Sequence, residues 1–369
     1  MSSICKIHDT TLRDGEQMAG VAMDFNGKMR LAGKIMEFGV GLIDIMPAVS
    51  DEEARVTKEL TGMFGERVSA TCRAKACDID AAIGAGASRV TIFSPLSDLH
   101  IKEKLGIDRN ENLRRSSEMI DYARSRGLRV DFAGEDATRA DSGYLMGFLR
   151  EIQGRIGVFF AADTVGCLTP KSSGDLIRRL KKEFSCKIGL HAHNDFGMAT
   201  ANTVEAALAG ADYLSGTFTG IGERAGNAAI EEVCTSLLYL HGVDLNVRLG
   251  MLKEICDAVQ EVSGVAVQMH KPVIGKNAFA HESGIHVDGV LKNPKTYEPF
   301  EPESVGQKRS IRLGKHSGLS SVMKIMGGEG KGLERDEAVA ILSEIKKSYE
   351  IGTGRLPKGK YACAPSPVN

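Results

Sequence analysis

The sequence has no surplus of either charge, no long apolar run, no paired-cysteine motif and no tryptophan. Its 47 basic and 48 acidic side chains leave a formal net charge of -1, which argues against a general nucleic-acid binder with its basic excess. No run of about 18 consecutive apolar residues occurs, so no membrane span is expected. Lys6, His8, Asp9 and Arg13 interrupt the N-terminus at once, so no secretory apolar segment is expected there. The eight cysteines (Cys5, Cys72, Cys77, Cys167, Cys186, Cys234, Cys256, Cys363) lie far apart. That disfavours a disulfide framework or zinc knuckle and makes a reduced, cytoplasmic setting the default. With 42% hydrophobic and 26% charged residues, the composition is that of a soluble globular protein, not a disordered one. At 369 residues, one large domain plus something smaller is expected, because single cores stop growing at about 250–300 residues.

What is abundant is glycine, 42 residues that punctuate the chain regularly. Short β-type runs recur at 5–8, 41–45, 69–72, 89–93, 129–132, 158–162, 187–191 and 213–217. Between them lie segments of helical periodicity, including 27–38, 112–126, 173–184 and 199–209. Strand–helix alternation implies a parallel sheet. Eight units in this span suit a (β/α)8 TIM barrel of about 250 residues, with a doubly wound open sheet as the alternative. The alternation stops near Gly264. The expected organisation is a catalytic barrel over 1–264, a loop-rich linker subdomain over 265–320, and a small, mainly helical extension over 321–369. Residues 334–349 are the clearest helix of that extension, and the tail 361–369 is expected to fray.

Polar residues cluster at strand ends. Arg13 and Asp14 follow the first run, Glu135 and Asp136 the fifth, Asp163 and Thr164 the sixth, and His191, His193, Asn194 and Asp195 the seventh. Barrel enzymes place catalytic groups at the C-terminal ends of their strands, so four runs point at one mouth. His191 and His193 stand at i and i+2, on one side of a strand. Two neutral imidazoles there can bind a divalent ion or serve as polar lining. Asp14 favours the ion, because strands 1 and 7 are near neighbours across a small barrel. A carboxylate with two imidazoles leaves open positions, as catalytic metal sites do.

Together these residues resemble a known family, the metal-dependent acyl-CoA condensing barrels that include 2-isopropylmalate, homocitrate and citramalate synthases. The resemblance rests on HDTTLRDGEQ at 8–17, LHAHNDFG at 190–197, GIGERAGN at 220–227, HESGIH at 281–286 and LGKHSG at 313–318. It implies a metal held by Asp14, His191 and His193, with Asn227 near the fourth position. The ion is one of Zn, Mn, Mg, Fe or Co. It implies Arg13 beside the substrate keto oxygen, Glu135 in proton transfer, and Gln17 and Thr164 on the substrate. His286 and Tyr297 match a pair delivered by the partner subunit of a homodimer, and His286 suits the base that takes the methyl proton of acetyl-CoA. Gly220 and Gly222 read as part of a glycine-rich loop at the mouth, near the thioester of this co-substrate.

Only about fifty residues follow Gly318, so the leucine-sensing domain of the usual 2-isopropylmalate synthase is not expected. The compact form, and the segments 93–105 and 134–141, are most similar to homocitrate synthases associated with nitrogenase. The implied reaction joins acetyl-CoA to 2-oxoglutarate; the alternatives are another 2-oxo acid or the related lyase chemistry. Lysine-pathway homocitrate synthases grip the distal carboxylate with an Arg and a Ser, where this chain has Asp131 and Ala133. A distal carboxylate therefore needs another cation, and Arg73, His100, Lys102 and Lys104 are the candidates. Asp44 replaces a common Glu, and Thr219 a usual Asn.

Overall fold

The computed structural model describes residues 5–327 and 333–350. The chain divides into two compact units, Met1–Ala266 and Val267–Asn369. In the first, eight parallel strands close into a barrel in sequence order: β1 (Lys6–Asp9), β2 (Leu42–Ile45), β3 (Val68–Arg73), β4 (Arg89–Pro95), β5 (Arg129–Glu135), β6 (Val158–Asp163), β7 (Lys187–Ala192) and β8 (Tyr213–Gly216). Closure is direct, since β1 pairs with β8 through His8↔Ser215 and with β2 through His8↔Leu42. Every β-type run in the sequence became a strand. The strands β4, β5 and β6 run on into Pro95, Glu135 and Asp163, because the backbone ladder continues after the apolar side chains end. Glu135 and Asp163 lie where the barrel opens.

Around the sheet, in chain order, lie α1 (Phe25–Phe38), α2 (Asp51–Phe64), α3 (Ala76–Gly84), the single turn α4 (Asp98–His100), α5 (Arg109–Ser125), α6 (Ser142–Ile152), α7 (Pro170–Glu183), α8 (Ala199–Leu208), α9 (Ile230–His241) and α10 (Leu252–Ser263). Their starts are capped as the sequence suggests. Asp24, Ser50, Asp108 and Asp141 each accept a bond from a first-turn backbone N–H, and Thr169 forms a capping box with Ser172 ahead of Pro170. The barrel interior is layered. Leu42, Val158, Phe160 and Tyr213 pack together with Ala133, while His8, Asp44, Thr71, Thr91 and Ser215 bring polar groups to the cavity above them.

One ion cluster ties the first loop to this frame. Lys28, on α1, is fully buried. Its Nζ lies 2.5 Å from Glu16 Oε2 and also binds Glu53 of α2. Glu16 Oε1 in turn accepts from the backbone N–H of Met23 at 2.9 Å. Removing the cation strands two carboxylates, a change that costs about 3–5 kcal/mol when a buried pair is broken. Lys28→Met should therefore lower the thermal midpoint by roughly 6–20 °C. Adding Glu16→Gln and Glu53→Gln should restore part of it. An unchanged midpoint in Lys28→Met would show that the cluster holds nothing in place.

The second unit contains α11 (Gly284–Lys292), α12 (Leu319–Gly327) and α13 (Arg335–Glu350), plus a two-residue parallel pair, β9 (Ala280–His281) with β10 (Ser310–Ile311). Its core is Leu313, Val322, Ala338, Ile341 and Ile345. The helix expected at 334–349 is α13. The pair β9–β10 and helix α11 lie in the stretch that reads as loop, since strands of two residues are too short to show alternation. The tail 361–369 and Cys363 lie outside the described residues.

Candidate active site and metal centre

The polar strand ends surround one cavity of about 340 Å³. Just after β1 the chain turns sharply, with Asp14 N bonding Thr10 O at 2.8 Å, so Arg13 and Asp14 sit side by side at the mouth. A brace fixes this turn. Asp9 accepts from the Thr11 N–H and hydroxyl, and Thr11 Oγ1 accepts from the backbone N–H of Phe218 at 3.0 Å. Arg13 bridges two carboxylates, Nη1 to Asp14 Oδ2 at 2.7 Å and Nε to Asp44 Oδ2 at 2.8 Å. Thr71 Oγ1 holds the other oxygen of Asp44 at 2.6 Å. Burial alone would raise the Asp14 carboxyl, but Arg13 and the two imidazoles hold it well below the usual carboxylate range.

His191, on β7, and His193, just past it, face Asp14. Their Nε2 atoms lie 3.5 Å and 3.9 Å from Asp14 Oδ2, and the rings stand nearly perpendicular at 87°. One donor atom from each of the three residues can be chosen so that all lie within 4.8 Å of one another. Burial pushes His193 down to about 3, so its imidazole is neutral, as a ligand must be. Asn227 Nδ2 donates to Asp14 Oδ1 at 2.8 Å, while its Oδ1 is buried without a partner, as are Nδ1 of His191 and of His193. A buried oxyanion, two imidazoles and an unused amide oxygen suit a divalent cation with coordination positions to spare.

The glycine-rich loop after β8 makes this crowding possible. A Cβ on Gly222 would meet Asn227 Nδ2 at 2.0 Å and Asp14 Oδ1 at 2.7 Å, and one on Gly226 would meet Gly220 O at 1.9 Å. The loop therefore wraps the Asp14–Asn227 pair, beyond the thioester contact its sequence suggests for Gly220 and Gly222.

On the opposite wall, Glu135 ends β5, and both its oxygens accept from Lys104 Nζ, at 2.7 Å and 2.9 Å. His100 Nδ1 is 3.5 Å from Glu135 and its Nε2 3.7 Å from Asp136. Asp136 has positive φ and is held by a fork from Arg139. Its backbone N–H donates to Thr164 Oγ1 at 2.8 Å, which places Thr164 at the rim. Gln17, Thr164, Arg13 and Glu135 all line the cavity. Arg73 and Lys102 do not. The Arg73 guanidinium forks onto Asp78 at 2.7 Å and 2.8 Å, and Lys102 is 83% exposed. His286 and Tyr297 belong to the second unit, where their rings stack at 4.0 Å. Sequence reading missed His8, Thr71, Thr91 and Ser215 as cavity lining; of these only Thr71 stands two residues back along its strand from a residue already singled out, Arg73.

Comparison with known proteins agrees with this geometry. Residues 5–259 match the family described as HMGL-like, and residues 273–353 the one described as homocitrate synthase post-HMGL domain-like. A homocitrate synthase of Methanothermobacter thermautotrophicus is 42% identical over 362 residues, spanning 96% of this chain and 90% of its own. A 2-isopropylmalate synthase of Sulfolobus acidocaldarius is 43% identical over 352 residues, spanning 94% and 91%. An (R)-citramalate synthase of Methanocaldococcus jannaschii is 39% identical over 354 residues, spanning 94% and 71%. Among solved structures, hydroxymethylglutaryl-CoA lyase from Pseudomonas aeruginosa superposes with a TM-score of 0.63, at 21% identity, over 72% of this chain and 95% of that one, a likeness of fold alone.

Proposed function

Because the chain belongs to the HMGL-like family and carries a homocitrate synthase post-HMGL domain-like region, we propose that it is an acyltransferase that condenses acetyl-CoA with a 2-oxo acid and then hydrolyses the thioester. The observation that carries this is the meeting of Asp14, His191, His193 and Arg13 in one cavity. Asp14, His191 and His193, with Asn227 beside them, would hold a divalent cation, which would supply Lewis acidity for the keto oxygen. Arg13 directs its guanidinium at the same oxygen as negative charge develops there. Gln17 and Thr164 orient the substrate at the rim. Glu135, kept in place by Lys104 and flanked by His100, moves a proton at the mouth. His286, stacked on Tyr297, takes the methyl proton of acetyl-CoA from the partner subunit of a homodimer. Gly220 and Gly222 leave room for the thioester end.

The preferred 2-oxo acid is 2-oxoglutarate, with homocitrate for nitrogen fixation as the product and the cytoplasm as the setting. Segments 93–105 and 134–141 support this choice. The same chemistry on 2-oxoisovalerate, pyruvate or oxaloacetate is the second reading, since 2-isopropylmalate and citramalate synthases are about as similar in sequence. The lyase alternative wants a cysteine in a glycine-rich loop near the mouth. The loop 220–227 has none, and Cys234 is buried in α9 with its thiol pushed far up by burial. The test is CoA release from acetyl-CoA with each 2-oxo acid, with and without a chelator. Chelator-sensitive release, fastest with 2-oxoglutarate, is expected. Release with no acid of the panel would overturn the condensation.

A further inference from the structure

The cavity of a 2-oxo acid synthase must hold the reacting carbons and also read the substrate's side chain. The cations lining it are already paired: Arg13 with Asp14 and Asp44, Lys104 with Glu135, Arg224 with Asp195. Arg73, the obvious cation from sequence, is held by Asp78 away from the lining. Deeper in the barrel stands a polar group of another kind. His8, on β1, is 3% exposed and lines the cavity. Its ring packs on Phe160 with centroids 4.6 Å apart, and Nδ1 lies 2.8 Å from Ser215 Oγ. Its Nε2 is buried and has no partner.

A buried, unsatisfied ring nitrogen on a cavity wall is costly unless something fills the space and bonds it. Among the described residues none bonds Nε2; the hydroxyl of Thr71 is turned to Asp44 and that of Thr91 to Ser69, at 2.7 Å. Packing on Phe160 and the bond to Ser215 hold the ring in one orientation, which makes it a selector rather than a mobile contact.

We propose that His8 determines substrate choice, offering Nε2 to a hydrogen-bond acceptor at the far end of the 2-oxo acid side chain, with a distal carboxylate as the occupant. The role rests on the condensation reading above. When Ser215 donates its hydroxyl proton to Nδ1, the neutral ring carries its proton on Nε2 and donates to that acceptor. An apolar side chain leaves Nε2 unpaired, and sites built to bond a polar group reject analogues that lack it.

Two variants separate this role from packing. Asparagine keeps a polar atom near the Nδ1 position and drops Nε2; glutamine reaches the Nε2 position. His8→Asn is expected to lower kcat/KM for 2-oxoglutarate about 10–100-fold, from the loss of one bond to a charged group, while 2-oxoisovalerate and 2-oxobutyrate change little. His8→Gln should recover part of the loss. Calorimetric binding of 2-oxoglutarate without acetyl-CoA should weaken in His8→Asn by a similar factor. Variants that release CoA with an unaltered ratio between the acids would overturn the role of His8 and leave the condensation standing, as would a native enzyme that prefers 2-oxoisovalerate. No turnover of any acid by the metal-loaded native enzyme would overturn the condensation, and the role of His8 with it.

Discussion

Replacing His193 with alanine is expected to lower CoA release about a thousand-fold or more and to strip the protein of its divalent metal. The reasoning starts from the donor set. Asp14, His191 and His193 supply a carboxylate and two imidazoles, and among the described residues no other His, Cys, Asp or Glu joins the cluster. Asn227 already contributes its amide nitrogen to Asp14, so its oxygen can complete the site but not rebuild it. A metal acting as a Lewis acid contributes several kcal/mol of transition-state stabilisation, which sets the expected size of the loss. The fold should survive, because neither ring nitrogen of His193 holds another element in place; Nδ1 is unpartnered. Metal content by plasma spectrometry, CoA release and a thermal melt decide the matter together. A variant that keeps its activity after dialysis against chelator would remove the metal from the mechanism. One that loses activity and its melting transition together would show that His193 supports the barrel instead.

How much of this was visible in the sequence differs by element. The strands were legible because parallel barrel strands are short apolar runs, and several end in or beside a polar residue at the mouth, such as Glu135, Asp163 or His191. The meeting of His191 and His193 was legible because i and i+2 spacing survives folding unchanged, and Asp14 joins them across the barrel. The pairing of cations was not. Arg73 ends β3 and looks free for a substrate, yet its partner Asp78 is five residues on, in the first turn of α3, where the helix start brings it back. Lys104, a candidate cation for a distal carboxylate, is laid by the helical turn after β4 across both oxygens of Glu135. His8 passed unremarked for the opposite reason. It opens the first signature, and only barrel closure, with β1 against β8, reveals that its ring meets Ser215, 207 residues away.

Arg13→Ala should cut kcat about 10²–10³-fold, the usual cost of one oxyanion-stabilising donor, and should also destabilise the protein. Both effects follow from one bridge. Arg13 lies between Asp14 and Asp44, whose side chains are almost fully buried, so its removal leaves two like charges facing each other without a counterion. Breaking such a buried arrangement costs about 3–5 kcal/mol. Arg13→Lys separates the two effects. An ammonium restores the charge and much of the stability, but it is a point charge and cannot reproduce the fork that reaches Asp14 and Asp44 at 2.7 Å and 2.8 Å while facing the substrate. Its midpoint should therefore recover while kcat stays low. The pH dependence carries the same signature. The Asp14 carboxyl is held low in the folded protein, so its contribution is present above the unfolded value of about 4 and lost as pH falls. In chelator, melts from about pH 4 downward should decline more steeply for the native protein than for Arg13→Ala, in which that contribution is already reduced. Parallel declines would show that Arg13 does not set the charge of Asp14. Equal recovery of kcat and midpoint in Arg13→Lys would reduce its role at the keto oxygen to charge alone.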